Sequence, residues 1–234
     1  MLDAENSFAQ KRMEVEEYFR FLKLTQDDNS SLTGGDAEHG YTQPLTTEIK
    51  TILKANAFLI LYNLVESTVR DGIRAVFNSI RNDSLTYPQV TSLLQKLWID
   101  CQYSPLKHSR PGHNTYVDTA KSMVDEVIAG SVVVFSTDYD CGISGNLDAL
   151  QIRTLAGKYG FSAKTRPRAR GGVNLLTIKT RRNDLAHGLV SFITCGRDYT
   201  FTELSDIKDE VTIYLEDILR NIRRYVESQS YIPS

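Results

Sequence analysis

The sequence predicts a mainly all-α protein: a helical bundle with an inserted, mostly helical subdomain and at most one short β element. Three observations point there. Apolar residues recur at three- and four-residue spacing through several long stretches. Residues that start or stop helices stand at the ends of those stretches, Thr46 or Thr47 before one and Gly160 and Gly188 after two others. Only one run is strongly β-branched, Ser131-Val132-Val133-Val134-Phe135.

Residues 4–24 place Phe8, Val15, Tyr18, Phe19 and Leu22 at helical spacing, with Glu14, Glu16, Glu17 and Lys23 between them. Residues 26–45 turn polar and hold Gly34, Gly35 and Gly40, which reads as a flexible polar loop without periodicity. A long helix is expected over residues 46–80, capped by Thr46 or Thr47, with Glu48 in the first turn where a carboxylate complements the helix dipole. Its apolar residues, among them Ile49, Leu53, Ile60, Leu64, Val65, Ile73 and Phe77, cover too wide an arc for one partner, so it belongs at the centre of the core. One column, Ile52, Leu59, Glu66, Ile73 and Ile80, repeats every seven residues and projects to one side. Glu66 is its only polar member.

Within a single domain over residues 1–234, residues 83–160 read as an insertion subdomain of smaller elements. Tyr87-Pro88 opens a helix to residue 99, since proline is tolerated in a first turn. A loop over 101–114 carries His108 and His113, and a second helix runs over 116–129. The β-branched run is a short strand or a buried connector. A turn-rich segment over 138–146 leads to a helix over 147–159 that Gly160 stops. Next come Lys164, Arg166, Arg168 and Arg170, four cations in seven residues, with Pro167, Gly171 and Gly172 working against packing. A helix over 173–187 follows, its stripe formed by Leu175, Ile178, Arg182, Leu185 and Leu189. Residues 189–202 read as a hairpin around Gly196. The last helix, over 203–228, turns Leu204, Ile207, Val211, Tyr214, Leu215, Ile218, Ile222 and Tyr225 inward.

Composition narrows the function classes. With 234 residues, 41% apolar and 24% charged, the chain can bury a sizeable core, and its net charge of −2 gives no global attraction to nucleic acid. Any such affinity must come from a local patch. Cys101, Cys141 and Cys195 form no C-x-x-C pair and suit free thiols in a reducing compartment. The start of the chain has neither a basic region nor an apolar core, and the longest apolar run, from Ala57 to Tyr62, falls short of a membrane span. A cytoplasmic protein without membrane attachment is expected. No phosphate-binding loop and no H-E-x-x-H occurs. Asp138-Tyr139-Asp140 is followed by Gly142 where a calcium loop needs a ligand, and His108, His113 and Cys101 are too sparse for a convincing site. No metal and no cofactor are expected.

What chemistry remains centres on Arg182-Asn183-Asp184-Leu185-Ala186-His187-Gly188. With sixteen arginines and four histidines, an Arg four to six residues before a His arises roughly once by chance. Context adds weight. Arg182 lies on an apolar stripe, where an unpaired charge is costly, and Glu66 lies in an apolar column of another helix. The economical explanation is that the two meet. A structural pair that only fixes helix register, with His187 a helix-end cation, explains the same residues. The basic run immediately before this helix is either a solvated surface or a phosphate contact.

Arg182 to Gly188 resembles the R-N-x-x-A-H-G form of the R-x(4–6)-H motif of HEPN (higher eukaryote and prokaryote nucleotide-binding) domains. The stretches Leu61 to Arg70, Ile143 to Asp148 and Gly196-Arg197-Asp198-Tyr199 are similar to one prokaryotic HEPN subgroup with a large insertion, in the same order over most of the chain. Residues 26–45 and much of 83–130 match nothing in it. The resemblance implies an all-α, metal-independent endoribonuclease of bacterial toxin–antitoxin or antiphage systems, with its cleft where two domains pair as a homodimer. On these residues, His187 would transfer protons and Arg182 would hold the scissile phosphate. Asn183 fills the polar position after the Arg, and Glu66 the acidic position near it. Lys164, Arg166, Arg168, Arg170 and Arg181 are the candidate RNA-binding cations, and an antitoxin or defence-system protein is a further expected partner. Imidazole is the side chain whose ordinary pKa lies nearest neutrality, and guanidinium offers paired donors to phosphate oxygens. One histidine per chain is too few for a base and an acid, which gives a symmetric dimer a chemical reason. Two other readings stay open: a non-catalytic HEPN-type module that binds RNA, a nucleotide or a partner, and a helical dimerisation domain whose Arg–Glu pair is structural.

Overall fold

In a computed structural model that describes residues 1–35, 40–109, 112–135 and 146–233, the fold is all-α apart from one small hairpin. The helices are α1 (Leu2–Leu24), α2 (Thr47–Asn82), α3 (Ser92–Ser109), α4 (His113–Ile128), α5 (Ala149–Tyr159), α6 (Val173–Ala186), α7 (Phe192–Arg197) and α8 (Phe201–Glu227). Strands β1 (Ser31–Gly34) and β2 (Tyr41–Pro44) pair antiparallel, with Thr33 opposite Thr42. Contacts group the chain into two units: one of residues 6–67 and 166–215, the other of residues 1–5, 68–165 and 216–234. Helices α1, α2 and α8 contribute residues to both.

The first unit carries the Arg–His motif. Val15, Phe19 and Leu22 from α1, Ala55, Phe58, Leu61, Leu64 and Val65 from α2, Leu175 and Ile178 from α6, and Leu204, Val211 and Leu215 from α8 are all buried in its core. Helical periodicity selects most of these; on α2 it missed Ala55 and Phe58, while Ile49, which it selected, is 37% exposed and Leu53 and Ile60 are only half-buried. The Tyr18 hydroxyl donates to the Leu53 carbonyl, and the Lys208 ammonium lies 2.8 Å from Glu16. Thr46 caps α2 as expected, its hydroxyl accepting the Ile49 N–H at 3.3 Å. By length and apolarity α2 could cross a bilayer, but half of its most apolar window is buried inside the fold, as in a core helix.

Two sequence expectations in this unit change. Where a loop was expected over 26–45, β1 and β2 form. Their residues are almost all exposed, so no apolar alternation marks them; backbone pairing and a 3.2 Å contact between the Thr33 and Thr42 hydroxyls hold them together. Where a hairpin was expected around Gly196, the short helix α7 stands instead, its N-terminus capped by the Ser191 hydroxyl accepting from the Thr194 N–H at 3.0 Å. Gly196 lets it approach α2 closely, since an added Cβ would lie 1.9 Å from the Thr51 carbonyl oxygen.

In the second unit, Phe77 stacks on Phe135 at 4.5 Å and touches Tyr159, and the Tyr225 hydroxyl donates to the Tyr159 carbonyl at 2.7 Å. Asp148 caps α5 by accepting the Gln151 N–H at 2.9 Å, and Gly160 ends it in the left-handed conformation. Residues 83–160 fall inside this unit. The helix expected over 87–99 is a 3-10 turn, Tyr87–Gln89, followed by α3, which continues through most of the expected loop. The β-branched run is no strand but a connector with one bridge, Thr86 to Val132, and a Val133 N–H bond to the Leu85 carbonyl at 2.8 Å. Cys101 is disulfide-bonded, against the expectation of free thiols, whereas Cys195 is free and buried. Cys141, Ile143-Ser144-Gly145 and all but Asn146 of the turn expected over 138–146 lie outside the described residues.

Candidate active site

The motif is held by how α6 begins and how it ends. At its start, Arg170, Gly171 and Gly172 adopt positive φ values of 43°, 64° and 74°. The Glu210 carboxylate of α8 then accepts from the Asn174 N–H at 3.0 Å and from its amide at 2.8 Å, taking up donors that a helix N-terminus leaves open. The basic run is therefore ordered rather than resistant to packing. Ala169 is fully buried, and a Cβ on Gly172 would lie 2.7 Å from the Tyr214 ring. The cations face outward from this turn. Lys164, Arg166, Arg168 and Arg170 are all exposed; Arg166 donates to the Ile213 carbonyl at 3.5 Å, and Arg170 lies 3.6 Å from Glu210.

At its end, α6 closes in a Schellman motif. The Gly188 N–H bonds the Leu185 carbonyl at 3.2 Å, and the Leu189 N–H bonds the Asp184 carbonyl at 2.8 Å. Gly188 supplies the left-handed residue, with φ 68°. His187 is the residue just before it, at the C-cap, with its backbone N–H on the Asn183 carbonyl at 2.9 Å and its side chain exposed. The stripe expected on this helix is only partly right at its end: Leu175, Ile178 and Leu185 are buried, but Leu189 is 73% exposed because the chain has already turned away.

Between these ends the two adjacent arginines diverge, as residues about 100° apart on a helix must. Arg182 reaches α2. Its guanidinium lies 3.5 Å from the Glu66 carboxylate, donates to the Asn183 side-chain carbonyl at 2.9 Å, and sits over the Tyr62 ring with Cζ 3.7 Å from the centroid. Both Arg182 and Glu66 keep 23% of their side-chain surface exposed, so the pair is neither sealed in the core nor open to bulk water. The expected meeting of Arg182 with Glu66 is what the structure contains. The α2 column grades accordingly: Ile52 is 36% exposed, while Ile73 and Ile80 are fully buried.

Arg181 turns the other way. Its Nε donates to the Tyr199 hydroxyl at 3.1 Å, and it lies 3.4 Å from Asp198 and 3.9 Å from Asp184. The Tyr199 hydrogen bond is the main reason its pKa is raised further above its usual value. Tyr199 is itself fixed, edge-on to Phe58 at 4.8 Å and accepting from the Lys54 ammonium at 2.6 Å through its carbonyl. Desolvation pushes the Lys54 pKa down. Arg181 thus ties α6 to the chain between α7 and α8, away from Arg182.

The structure therefore brings Glu66, Arg182 and Asn183 into one cluster, with His187 one helical turn past Asn183. The basic turn stands at the opposite end of the same helix. Sequence reasoning missed Tyr62, which reads as one more core aromatic; the signal was its spacing of four residues from Glu66, which puts both on one ridge. Asp198 and Tyr199 appeared in the sequence resemblance, but nothing in their spacing pointed to Arg181. Among the described residues, no group of three or more His, Cys, Asp or Glu is disposed to hold a metal ion.

Comparison with curated proteins and with solved structures gives no match. A family model, described as HEPN_MAE_28990-like HEPN, matches residues 3–231, nearly the whole chain. The chain therefore belongs to the HEPN_MAE_28990-like HEPN family, an assignment that points in general terms to a nuclease or other RNA-related function.

Proposed function

We propose that this protein is a metal-independent endoribonuclease whose active site is completed by a second copy of the chain, serving in the cytoplasm as a toxin or antiphage effector. The observation that carries the reading is the Arg182 cluster. A guanidinium is fixed by Glu66, Asn183 and Tyr62 yet remains partly exposed, one turn from an exposed imidazole at a helix end. A charge held this way needs little reorganisation to receive a phosphate.

In this mechanism the ribose 2′-hydroxyl attacks the adjacent phosphorus as His187 takes its proton. The bond to the 5′-oxygen breaks, and the partner's His187 protonates that leaving oxygen. The products are a 2′,3′-cyclic phosphate and a 5′-hydroxyl. Arg182 stabilises the charge that builds on the non-bridging oxygens. The surface of α6 supports the pairing. Val173 and Leu176 are 56% and 54% exposed and step by three and four residues through Thr180 and Asn183 to His187. Val173 and Leu176 are the apolar part of this face, and His187 stands at its far end. The reading therefore has a second copy packing along its length, with the two histidines meeting in one cleft. Lys164, Arg166, Arg168 and Arg170 contribute phosphate contacts, while Arg181, engaged by Tyr199 and Asp198, mainly positions the motif.

The reading predicts that Arg182→Ala and His187→Ala each abolish RNA cleavage while circular dichroism and Tm stay near wild type. Cleavage should persist in EDTA and spare DNA, which lacks the 2′-hydroxyl. Undiminished cutting by both variants contradicts the assignment.

A further inference from the structure

Resting on the ribonuclease reading, the geometry points to Tyr62 as a positioning residue of the site: its ring is the platform that sets the plane of the Arg182 guanidinium. Glu66, Asn183 and Tyr62 contact that guanidinium from different directions. Glu66, at 3.5 Å, and the Asn183 carbonyl oxygen, at 2.9 Å, engage N–H groups, which lie in the plane of the guanidinium. Neither prevents the plane from tilting, because hydrogen bonds and ion pairs tolerate broad angles at oxygen. The Tyr62 ring contacts the guanidinium from outside that plane, with Cζ 3.7 Å from the centroid, about the thickness of an aromatic stack.

The platform is itself rigid. Tyr62 is 3% exposed and lies in the middle of α2, one turn before Glu66, so ring and carboxylate move as one piece. A stacked guanidinium also keeps its charge, since the ring adds no counter-charge as a second carboxylate would. The ring takes up none of the five N–H donors of arginine. The stack sets the direction in which the guanidinium N–H groups point, and with it the face that Arg182 presents to a phosphate. Tyr62 itself need not touch RNA. It acts through Arg182.

The test separates this role from simple core filling and from failure of the ribonuclease reading. Cleavage of a short RNA would be measured for wild type, Tyr62→Phe, Tyr62→Leu and Tyr62→Met, with Tm for each. Tyr62→Phe keeps the stacking face and should hold kcat within about twofold of wild type. Tyr62→Leu and Tyr62→Met should lower kcat about tenfold and change KM much less, the loss expected when a transition-state contact is misaligned. Methionine, being unbranched and adaptable, keeps the comparison valid if leucine lowers Tm too far. A second readout needs no activity. The Arg182 side-chain Nε–H resonance, identified by its absence in Arg182→Lys, should be shifted upfield by the ring in wild type and Tyr62→Phe and move downfield in the other two.

A leucine or methionine variant that cuts like wild type, or whose Arg182 resonance stays in place, overturns the proposal. If wild type cuts no RNA, the ribonuclease reading fails, and the resonance alone decides whether Tyr62 sets the guanidinium.

Discussion

At the scale of single residues, His187 is placed by a neighbour with no side chain. Gly188 occupies φ 68°, and nothing lies within 4 Å of the position its Cβ would take, so a substitution there meets strain rather than collision. Alanine in the left-handed region costs about 1 kcal/mol. Relief of that strain would unwind the last turn of α6 and displace the imidazole. Gly188→Ala should therefore lose cleavage activity well beyond what a fall of a few degrees in Tm explains, and Gly188→Asn should retain more, because asparagine tolerates this conformation. Equal activity of Gly188→Ala and wild type would show that the helix end does not position His187. Glu66 and Arg182 were legible from sequence because each interrupts an apolar pattern. Tyr62 was not, since an aromatic on a buried ridge fits the pattern it belongs to.

At the scale of elements, the start of α8 ties the motif down from outside. Thr200 and Glu203 form a capping box: the Glu203 carboxylate accepts from the Thr200 N–H and hydroxyl, both at 2.8 Å, and the Thr200 hydroxyl accepts the Glu203 N–H at 3.2 Å. Tyr199, the residue just before the box, holds Arg181. The Thr200 backbone and hydroxyl hydrogen bonds hold the Glu203 pKa below the usual glutamate value. A carboxylate depressed in the folded state stabilises above its unfolded value and loses that contribution as pH falls through the folded one. Glu203→Ala should thus lower Tm at pH 7, and the gap to wild type should close as the pH drops below about 4. A gap that is independent of pH would mean that the carboxylate's charge contributes nothing. The long elements, α1, α2, α6 and α8, were legible because a wide apolar arc repeats over several turns. The hairpin and α7 were not. Strands with both faces exposed carry no alternation, and α7, six residues long, is too short for a helical period and holds a glycine that resembles a turn.

At the scale of the whole molecule, the chain carries its candidate chemistry along one helix, with a basic turn at one end of α6 and a clamped arginine and exposed histidine at the other. The net charge of −2 gave no hint of an RNA partner; only the local run did. The second copy, which the chemistry needs, has no signature in sequence beyond apolar residues that α6 leaves uncovered. Leu176→Glu tests it. The side chain is 54% exposed, so the protomer should keep its Tm to within a few degrees while the dimer dissociates and specific activity falls together with sedimentation mass. A monomeric variant with full activity would remove the composite site. The most direct measurement of the central claim is the chemistry of the cut ends. Purified protein would be incubated with RNA in EDTA, and the termini identified by mass spectrometry. The account predicts 2′,3′-cyclic phosphate and 5′-hydroxyl ends from wild type and none from His187→Ala or Arg182→Ala; an absence of cyclic-phosphate ends from wild type, or their equal yield from both variants, would contradict it.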